Sequence, residues 1–458
     1  MTYALTADIS APQLEQFMTA QRVMVVGMGI TGVSCARSLA SQGVHVCFAD
    51  SRSQPPALDA IRSLYPDAEL LTGELPASVP EDVDKLIVSP GVRLDSPLLK
   101  NAQSRGIEVL SDIDLFVDQC DVPLLLVTGT NGKSTVTSLV ASILRSAGYR
   151  AEAGGNLGTA ALDLLDTDAE AFVLELSSFQ LERSKPIPSR AAVVLNIAAD
   201  HIDYHGSLKK YVAAKQRIYS RCDLAIVNRD EPDVVALVTS DVPVVTFGLD
   251  APLPGHWGIA AIDGDEFIVF GDEPVIPVSR VRLEGRHNLA NVLAAMAFAA
   301  AMDVPFSVMA EAAALFDGLS HRMELVVEYA GVRWIDDSKA TNESAATASI
   351  NSVAGPLILI AGGDAKGADF ARLAEALRGR ESRVVLLGKD AEKLAAVLQG
   401  VAEQYPVQSI EEAVVRAAEL AEAGTTVLLA PACSSLDMFV DFRDRGQQFA
   451  AAVKRVVQ

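Results

Sequence analysis

The chain is short of positive charge. It sets 38 Lys and Arg against 59 Asp and Glu, for a formal net charge of −21, and its pI is near 4.7. Such a balance leaves no basic face for a nucleic acid or an anionic bilayer, so an anionic small molecule must be met by local Lys and Arg. Cysteine is sparse as well. Cys35, Cys47, Cys120, Cys222 and Cys433 are odd in number, scattered and without metal-ligand spacing, and they read as reduced core thiols rather than a disulfide framework. No apolar run is long enough to cross a bilayer, the longest being Val292 to Met302. The first residues, Met1 to Asp8, lack the basic-then-apolar pattern of a leader. Repeats and low-complexity linkers are missing too. The expectation is a soluble, cytoplasmic, monomeric protein with neither nucleic acid nor membrane as partner.

What is present is apolar and periodic. Hydrophobic residues make up 50% of the 458 positions and charged residues 21%, a globular composition whose length exceeds one core and suggests about three domains. Strand-like runs alternate with helical ones: Val23 to Val26, Val44 to Ala49, Leu86 to Val88, Leu124 to Val127, Phe172 to Leu174, Ala192 to Leu195, Leu224 to Val227, Leu357 to Ile360, Val384 to Leu387 and Val427 to Leu429. That order predicts an α/β fold with mostly parallel sheets. The βα series restarts near Ile107 to Ser111 and near Gly318, which divides the chain into residues 1–111, 112–318 and 319–458.

The first segment opens with a dinucleotide-type fingerprint, Gly27-Met28-Gly29-Ile30-Thr31-Gly32, and its second strand ends in Asp50. Glycines there give a tight turn and close approach to a pyrophosphate, and the acid suits a ribose hydroxyl. NAD and a UDP-sugar both carry those groups, so the fingerprint does not choose between them. Asp50-Ser51-Arg52 and Ser89-Pro90-Gly91 end successive strands, where ligands collect in open α/β sheets; plain strand-ending turns are the alternative.

A second glycine motif lies between the strand Pro123 to Val127 and a helix expected from Val136 to Ala147: Gly129-Thr130-Asn131-Gly132-Lys133-Ser134-Thr135. At such a turn, backbone N–H groups and the positive helix end hold phosphate oxygens, Lys133 reaches the outer phosphates and the Ser134 hydroxyl binds Mg²⁺. ATP is the expected ligand. The loop is a shortened variant, with two residues between its glycines where the usual phosphate loop has four.

Two later strands end in candidate metal ligands. Phe172-Val173-Leu174-Glu175 leaves a carboxylate at the end of a buried strand, which needs Mg²⁺ or a neighbouring cation as partner. The next strand ends at Asn196 and leads to Asp200, His201 and Asp203. Lys215 sits in a helix whose lysines are ordinarily solvated, and nothing in the composition prefers it over Lys209 or Lys210. Asn288 and Asn291 open an Ala-rich helix, where their amides suit a purine edge or simple capping and packing. Beyond Gly318, polar clusters follow at His321-Arg322-Met323-Glu324, Asp336 to Asn342, Gly362 to Gly367 and Pro431 to Asp437. Each alone reads as a turn with a helix cap; four in one domain are harder to dismiss.

Together these residues resemble the Mur ligase family, which builds the peptide of bacterial cell-wall precursors. The resemblance spans essentially the whole chain and runs through Gly129 to Ser134, Glu175 to Gln180, Asp200-His201, Asp337 to Asn342 and Pro431 to Ser435. It implies a Rossmann-like UDP-sugar domain, a central phosphate-loop ATPase-type domain and a Rossmann-like C-terminal domain for the amino acid. It implies that Ser134 and Glu175 hold one Mg²⁺, and that His201 and a CO₂-carbamylated Lys215 serve a second. It places Asn156, Asn288, Asn291, Arg322, Asp337 and Lys339 at the nucleotide. Thr341, Lys366, Ser435 and Phe442 fall around an incoming D-glutamate, and Ile30, Thr31, Asp50 and Arg52 around UDP.

The reaction this implies starts from UDP-N-acetylmuramoyl-L-alanine. Its carboxylate is phosphorylated by ATP to an acyl phosphate, which the amine of D-glutamate then attacks. Lys133 and Lys339 offset charge as phosphate transfers, and His201 serves the amine proton or the metal. Rival readings are another amino-acid ligase of the superfamily, an NAD-dependent oxidoreductase, which leaves the phosphate loop unexplained, and a non-catalytic nucleotide-binding regulator.

Overall fold

A computed structural model describes residues 22–156, 158–238 and 242–457. The reading of the first residues as lacking a leader lies outside them, as does the side chain of Asp203. Three sheets account for the strands. The first contains β1 (Val23–Val26), β2 (Val46–Asp50), β3 (Leu70–Thr72), β4 (Lys85–Val88) and β5 (Glu108–Leu110) in the order β3-β2-β1-β4-β5. All its pairings are parallel. The order reverses at β1 and β4, so the Gly27–Gly32 turn and the Ser89–Gly91 turn lie at the switch point.

The second sheet contains β6 (Leu124–Thr128), β7 (Ala151–Gly155), β8 (Ala171–Glu175), β9 (Ala191–Val194), β10 (Ala225–Asn228), β11 (Val244–Phe247), β12 (Trp257–Ile262), β13 (Asp265–Phe270) and β14 (Glu273–Pro277). Its order is β14-β13-β12-β11-β10-β9-β6-β8-β7. The third contains β15 (Glu324–Tyr329), β16 (Val332–Asp336), β17 (Leu357–Gly362), β18 (Ser382–Leu387), β19 (Glu403–Pro406) and β20 (Thr426–Leu429), ordered β15-β16-β20-β17-β18-β19. Every run read as a strand from its apolar residues is one. Two additions are antiparallel pairs, β13 with β14 and β15 with β16, and neither is a continuous apolar run. The helix after the phosphate-type loop begins at Lys133, about one turn earlier than its apolar periodicity predicts, and ends at Ser146.

By backbone proximity the chain forms two compact units. One comprises Met1–Phe247, Gly255–Trp257 and Ala294–Met309, the other Gly248–Pro254, Gly258–Leu293 and Ala310–Gln458. In the first unit, a single apolar cluster runs from Val23, Phe48 and Phe116 to Leu126, Phe172 and Val194, so the first sheet and the parallel part of the second share a core across position 111. Polar ties reinforce that junction. Lys185 Nζ donates to Glu108 (2.7 Å), the Lys185 backbone N–H to Asp114 (2.7 Å), and Ser34 Oγ and Arg37 Nη2 to Asp163 (2.8 and 2.5 Å). In the second unit, apolar clusters around Leu359, Phe370 and Leu428 and around Trp334, Ile360 and Phe449 cover the two faces of the third sheet.

The third glycine of the fingerprint is fixed by packing. A Cβ on Gly32 would lie 2.0 Å from the Gly27 carbonyl oxygen, so the helix Ile30–Ser41 can approach the strand turn only without a side chain there. A Cβ on Gly91 would meet nothing within 4 Å. Gly32→Ala is therefore expected to lower the melting temperature by at least a few degrees, since overpacking costs about 1–3 kcal/mol. Gly91→Ala should leave it unchanged, and calorimetry on the pair checks the contrast.

Candidate functional site

In the first unit the site grows from three neighbouring parallel strands, β9, β6 and β8, whose C-terminal ends lie side by side; Thr128 is in register with Val194, and Val127 with Glu175. The loop after β6 turns through left-handed backbone at Gly129 (φ 154°) and Gly132 (φ 82°), and Gly132 opens the helix Lys133–Ser146 without a side-chain cap. Asn196, just beyond β9, braces the loop: its Oδ1 accepts from the Asn131 N–H (2.8 Å), its Nδ2 donates to the Asn131 carbonyl (3.1 Å), and its own carbonyl accepts from the Thr130 N–H (3.0 Å). The Thr130 hydroxyl meets Tyr211 Oη at 3.0 Å and receives the Ala198 N–H at 2.9 Å. Thr135 is buried in the first turn of the helix.

Glu175 is 2% exposed and works at both oxygens. Oε2 accepts from the Ser134 hydroxyl (2.6 Å) and Oε1 from the Asn156 amide (2.7 Å). A buried carboxylate touching a hydroxyl offers the hard oxygen donors that Mg²⁺ takes, so this pair fits that ion. Asn156, expected at the nucleotide, therefore orients Glu175 here.

Lys215 is where solvated-helix reasoning fails. Its helix, Leu208–Gln216, carries it inward until it is 2% exposed, under the loop, donating to the Gly129 carbonyl (2.8 Å) and to Thr128 Oγ1 (3.3 Å), with its ammonium 4.8 Å from the Tyr211 ring centroid. Lys133 Nζ donates to the same Gly129 carbonyl (2.9 Å) and to that of Thr130 (2.9 Å). Burial first, then the neighbouring Lys133 charge, push the Lys215 pKa well below the ordinary lysine value. As an ammonium Lys215 does not fit a metal; as a carbamate it would. His201 stands in left-handed backbone (φ 53°) at the head of a short turn, its ring 4.9 Å from the Phe179 ring and its Nε2 3.8 Å from Asp200.

The first sheet supplies the remaining groups of this unit. Asp50 accepts the Met28 N–H (2.7 Å), the Arg52 N–H (2.9 Å) and the Arg52 guanidinium through both oxygens (2.8 and 2.7 Å). The Arg52 pairing, opposed by burial, holds its pKa down at about 2. Expected as a ribose acceptor, Asp50 is thus also the brace of the fingerprint turn. Ile30 is 74% exposed beside Thr31, while Ser89 Oγ donates to the Gly27 carbonyl (3.2 Å) and Gly91 is exposed.

In the second unit the sequence-predicted residues gather at the strand ends of the third sheet. Asp337 is buried; desolvation raises its pKa to about 6, and the Ser349 hydroxyl bonded to it works against the rise. The Lys339 N–H donates to the His321 carbonyl (3.1 Å), and its ammonium stands 4.3 Å over the Phe442 ring. Thr341 follows after Ala340, its N–H on the Lys339 carbonyl at 2.7 Å. Arg322 is adjacent in sequence to His321, whose Nδ1 lies 2.7 Å from Asp336. Lys366 has left-handed backbone (φ 47°) and its N–H is held by Asp364 Oδ1 (3.0 Å); Asp364 also exchanges backbone hydrogen bonds with Ser434, next to the buried Ser435. Asn288 and Asn291 spend amide donors inside the protein, on the Glu284 carbonyl (2.8 Å) and on Asn288 Oδ1 (3.1 Å), which is the capping and packing alternative.

Sequence reasoning missed Arg445. It is 1% exposed and donates to Ser338 Oγ (2.9 Å), the Ser338 carbonyl (2.8 Å) and the Cys433 carbonyl (3.2 Å), joining the two loops that carry Lys339 and Ser435. Its helical neighbours in sequence are polar, and no motif marks it. Burial lowers its pKa to about 10.

A short glycine loop and a buried carboxylate on neighbouring parallel strand ends, with a buried lysine of a following helix beneath the loop, define a phosphate-loop nucleotide-binding α/β protein. The chain belongs to the Mur ligase family. Residues 21–111 match the Mur ligase MurD-like N-terminal domain, 127–299 the Mur ligase middle domain and 321–433 the Mur ligase glutamate ligase domain. It is 45% identical over 437 residues, 95% of this chain and 96% of the relative, to the UDP-N-acetylmuramoylalanine--D-glutamate ligase of Nitrosococcus oceani. It is 44% identical to the protein of that name from Pseudomonas putida, over 94% of this chain and 96% of the relative. Its fold is similar to a UDP-N-acetylmuramate-alanine ligase from Thermotoga maritima, with TM-score 0.59 and 19% identity over 95% of this chain and 99% of that one. E. coli FolC is also similar, with TM-score 0.55 and 18% identity over 75% of this chain and 92% of that one.

The buried Lys215 has a pH signature. Its folded pKa lies well below the unfolded value, so between the two the unfolded chain binds more protons and stability rises as pH rises toward the unfolded lysine pKa near 10.4. Lys215→Met should therefore stabilise the protein at pH 7 in carbonate-free buffer, and the gain should shrink toward pH 10. Melting temperatures of both proteins across that range check the sign.

Proposed function

We propose that the chain is an ATP-dependent ligase that forms the amide between UDP-N-acetylmuramoyl-L-alanine and D-glutamate in peptidoglycan precursor synthesis. The observation that carries this reading is the meeting of Ser134 and Glu175 beside a loop whose floor is a buried lysine, in a chain 42–45% identical to proteins named for that reaction.

A carboxylate resists attack by an amine because its leaving group is oxide; transfer of the ATP γ-phosphate makes phosphate the leaving group instead. The loop N–H groups of residues 132–134 hold the triphosphate, Lys133 exchanges loop carbonyls for phosphate oxygens, and Lys339 adds a second cation. Mg²⁺ at Ser134 and Glu175, and at His201 with carbamylated Lys215, supplies charge neutralisation when bound. The depressed Lys215 pKa supports the carbamate, because a neutral amine is what attacks CO₂, losing a proton as the N–C bond forms. Ile30, Thr31, Asp50, Arg52, Ser89 and Gly91 take the UDP-sugar. Arg322, Asp337 and Lys339 take the nucleotide, with Asn156, Asn288 and Asn291 supporting the site through the internal hydrogen bonds described above. Thr341, Lys366, Ser435 and Phe442 take D-glutamate, whose two carboxylates need cations and hydroxyls. His201 receives the amine proton when it is not ligating. The chain works as a cytoplasmic monomer with domain boundaries after residues 111 and 318.

Oxygen-18 in the acceptor carboxyl group should appear in the released inorganic phosphate, and product should form with D- but not L-glutamate. Label retained wholly in the product, or no ADP release with Mg²⁺, ATP, UDP-N-acetylmuramoyl-L-alanine and D-glutamate together, overturns the reading. Lys133→Ala should lower turnover by at least about 10³-fold, the size of loss seen when a transition-state charge donor is removed. Lys215→Ala should abolish turnover and recover part of it with added short carboxylic acids; full activity without them removes the carbamate.

A further inference from the structure

Val92 follows directly on Ser89-Pro90-Gly91, the turn after β4 assigned above to the UDP-sugar. Its carbonyl is grasped twice, by Arg183 Nη2 and by Tyr204 Oη (3.4 Å). The two donors come from different places. Arg183 ends the helix Ser178–Arg183 that leads off from Glu175, and Tyr204 lies three residues after His201. The segments bearing one proposed ligand of each metal thus converge on one carbonyl of the acceptor loop.

Both arms are stiff. The helix Ser178–Arg183 starts with a Ser177–Gln180 capping box, and its end is held by Arg217, which donates to the carbonyls of Leu181 (2.6 Å) and Ser184 (2.5 Å). The Tyr204 ring stands edge-on to Phe179 (4.4 Å between centroids, 88°), and Phe179 in turn touches the His201 ring, so Tyr204 and His201 share one wall. The guanidinium of Arg93, next after Val92, lies 5.9 Å from the Tyr204 ring centroid.

As a stabilising device Arg183 is poor. Among the described residues its Nε and Nη1 are buried without hydrogen-bond partners, and a buried cation whose donors are only partly met often costs more than an apolar side chain of similar volume. Its place is explained if what it secures is position. We propose that Arg183 and Tyr204 are positioning residues that fix the acceptor loop against the phosphate-transfer groups, setting where the acceptor carboxylate stands relative to the γ-phosphate. The proposal rests on the ligase reading above.

The test compares Arg183→Met, Arg183→Lys and Tyr204→Phe with the wild type under saturating co-substrates. Arg183→Met should raise KM for UDP-N-acetylmuramoyl-L-alanine about tenfold and lower kcat, the scale of a sub-ångström misplacement, while KM for ATP and D-glutamate stays within about twofold. Arg183→Lys, which still donates to the carbonyl, should recover part of the loss, and Tyr204→Phe should show a smaller rise of the same KM. The melting temperature of Arg183→Met should hold or increase, the opposite of what a structural role predicts. An unchanged acceptor KM, or all three KM values rising together with a falling melting temperature, overturns the proposal. Should Arg183→Met fail to fold, Tyr204→Phe and Arg183→Lys carry the same comparison. A wild type that makes no product strikes the ligase reading itself, whereas an active wild type with indifferent variants strikes only this inference.

Discussion

The Gly129 carbonyl oxygen is the point on which the site turns. It accepts from both Lys133 and Lys215, so two ammonium groups are drawn to one neutral oxygen at the end of a buried strand. Burial, and after it the repulsion of the neighbouring Lys133 charge, lowers the Lys215 pKa well below the ordinary lysine value. Lys133, in the same loop, is only partly buried. Burial of one and not the other thus separates two lysines of identical chemistry.

That separation depends on architecture. Glycine at 129 lets the chain turn with φ 154°, and a side chain there would press on Leu195 of the next strand segment. Asn196 then ties the loop back to the end of β9 with three hydrogen bonds, and Tyr211 closes it from the helix that brings Lys215. Glu175 enters from the other side, on β8, already engaged by Ser134 and Asn156. Loop, carboxylate and lysine come from elements far apart in sequence, and parallel strand order is what makes them neighbours.

The sequence shows this unevenly. Buried parallel strands are continuous apolar runs, so β6, β8, β17 and β20 are legible at once, and the residues at their C-terminal ends can be named before any fold is known. The antiparallel β13–β14 and β15–β16 pairs mix exposed and buried residues over short spans, and their runs carry charge, as in Glu324–Tyr329. Glu175 and Ser134 were legible because each ends or follows a strand. Lys215 was not, since only the resemblance singled it out from Lys209 and Lys210, and its burial is decided by which face of one helix meets the loop. Arg183, Tyr204 and Arg445 left no local mark, because each acts on a backbone carbonyl, and an acceptor that every residue possesses cannot appear as a motif.

That last point bears on how so acidic a chain manages anions. Many of its arginines spend their charge on carboxylates, as Arg22 does on Glu69 and Asp82, or Arg150 on Asp168 and Glu170. Lys215, Arg183 and Arg445 instead hydrogen-bond to carbonyl and hydroxyl oxygens. A carbonyl fixes the direction of a cation without cancelling its charge, whereas a carboxylate does both. Holding interior cations on carbonyls costs desolvation that ion pairing would have recovered, and it is why burial lowers the pKa of each of the three. In return the fold keeps nitrogen donors uncancelled by carboxylates near the strand ends of a molecule whose net charge would otherwise repel a triphosphate.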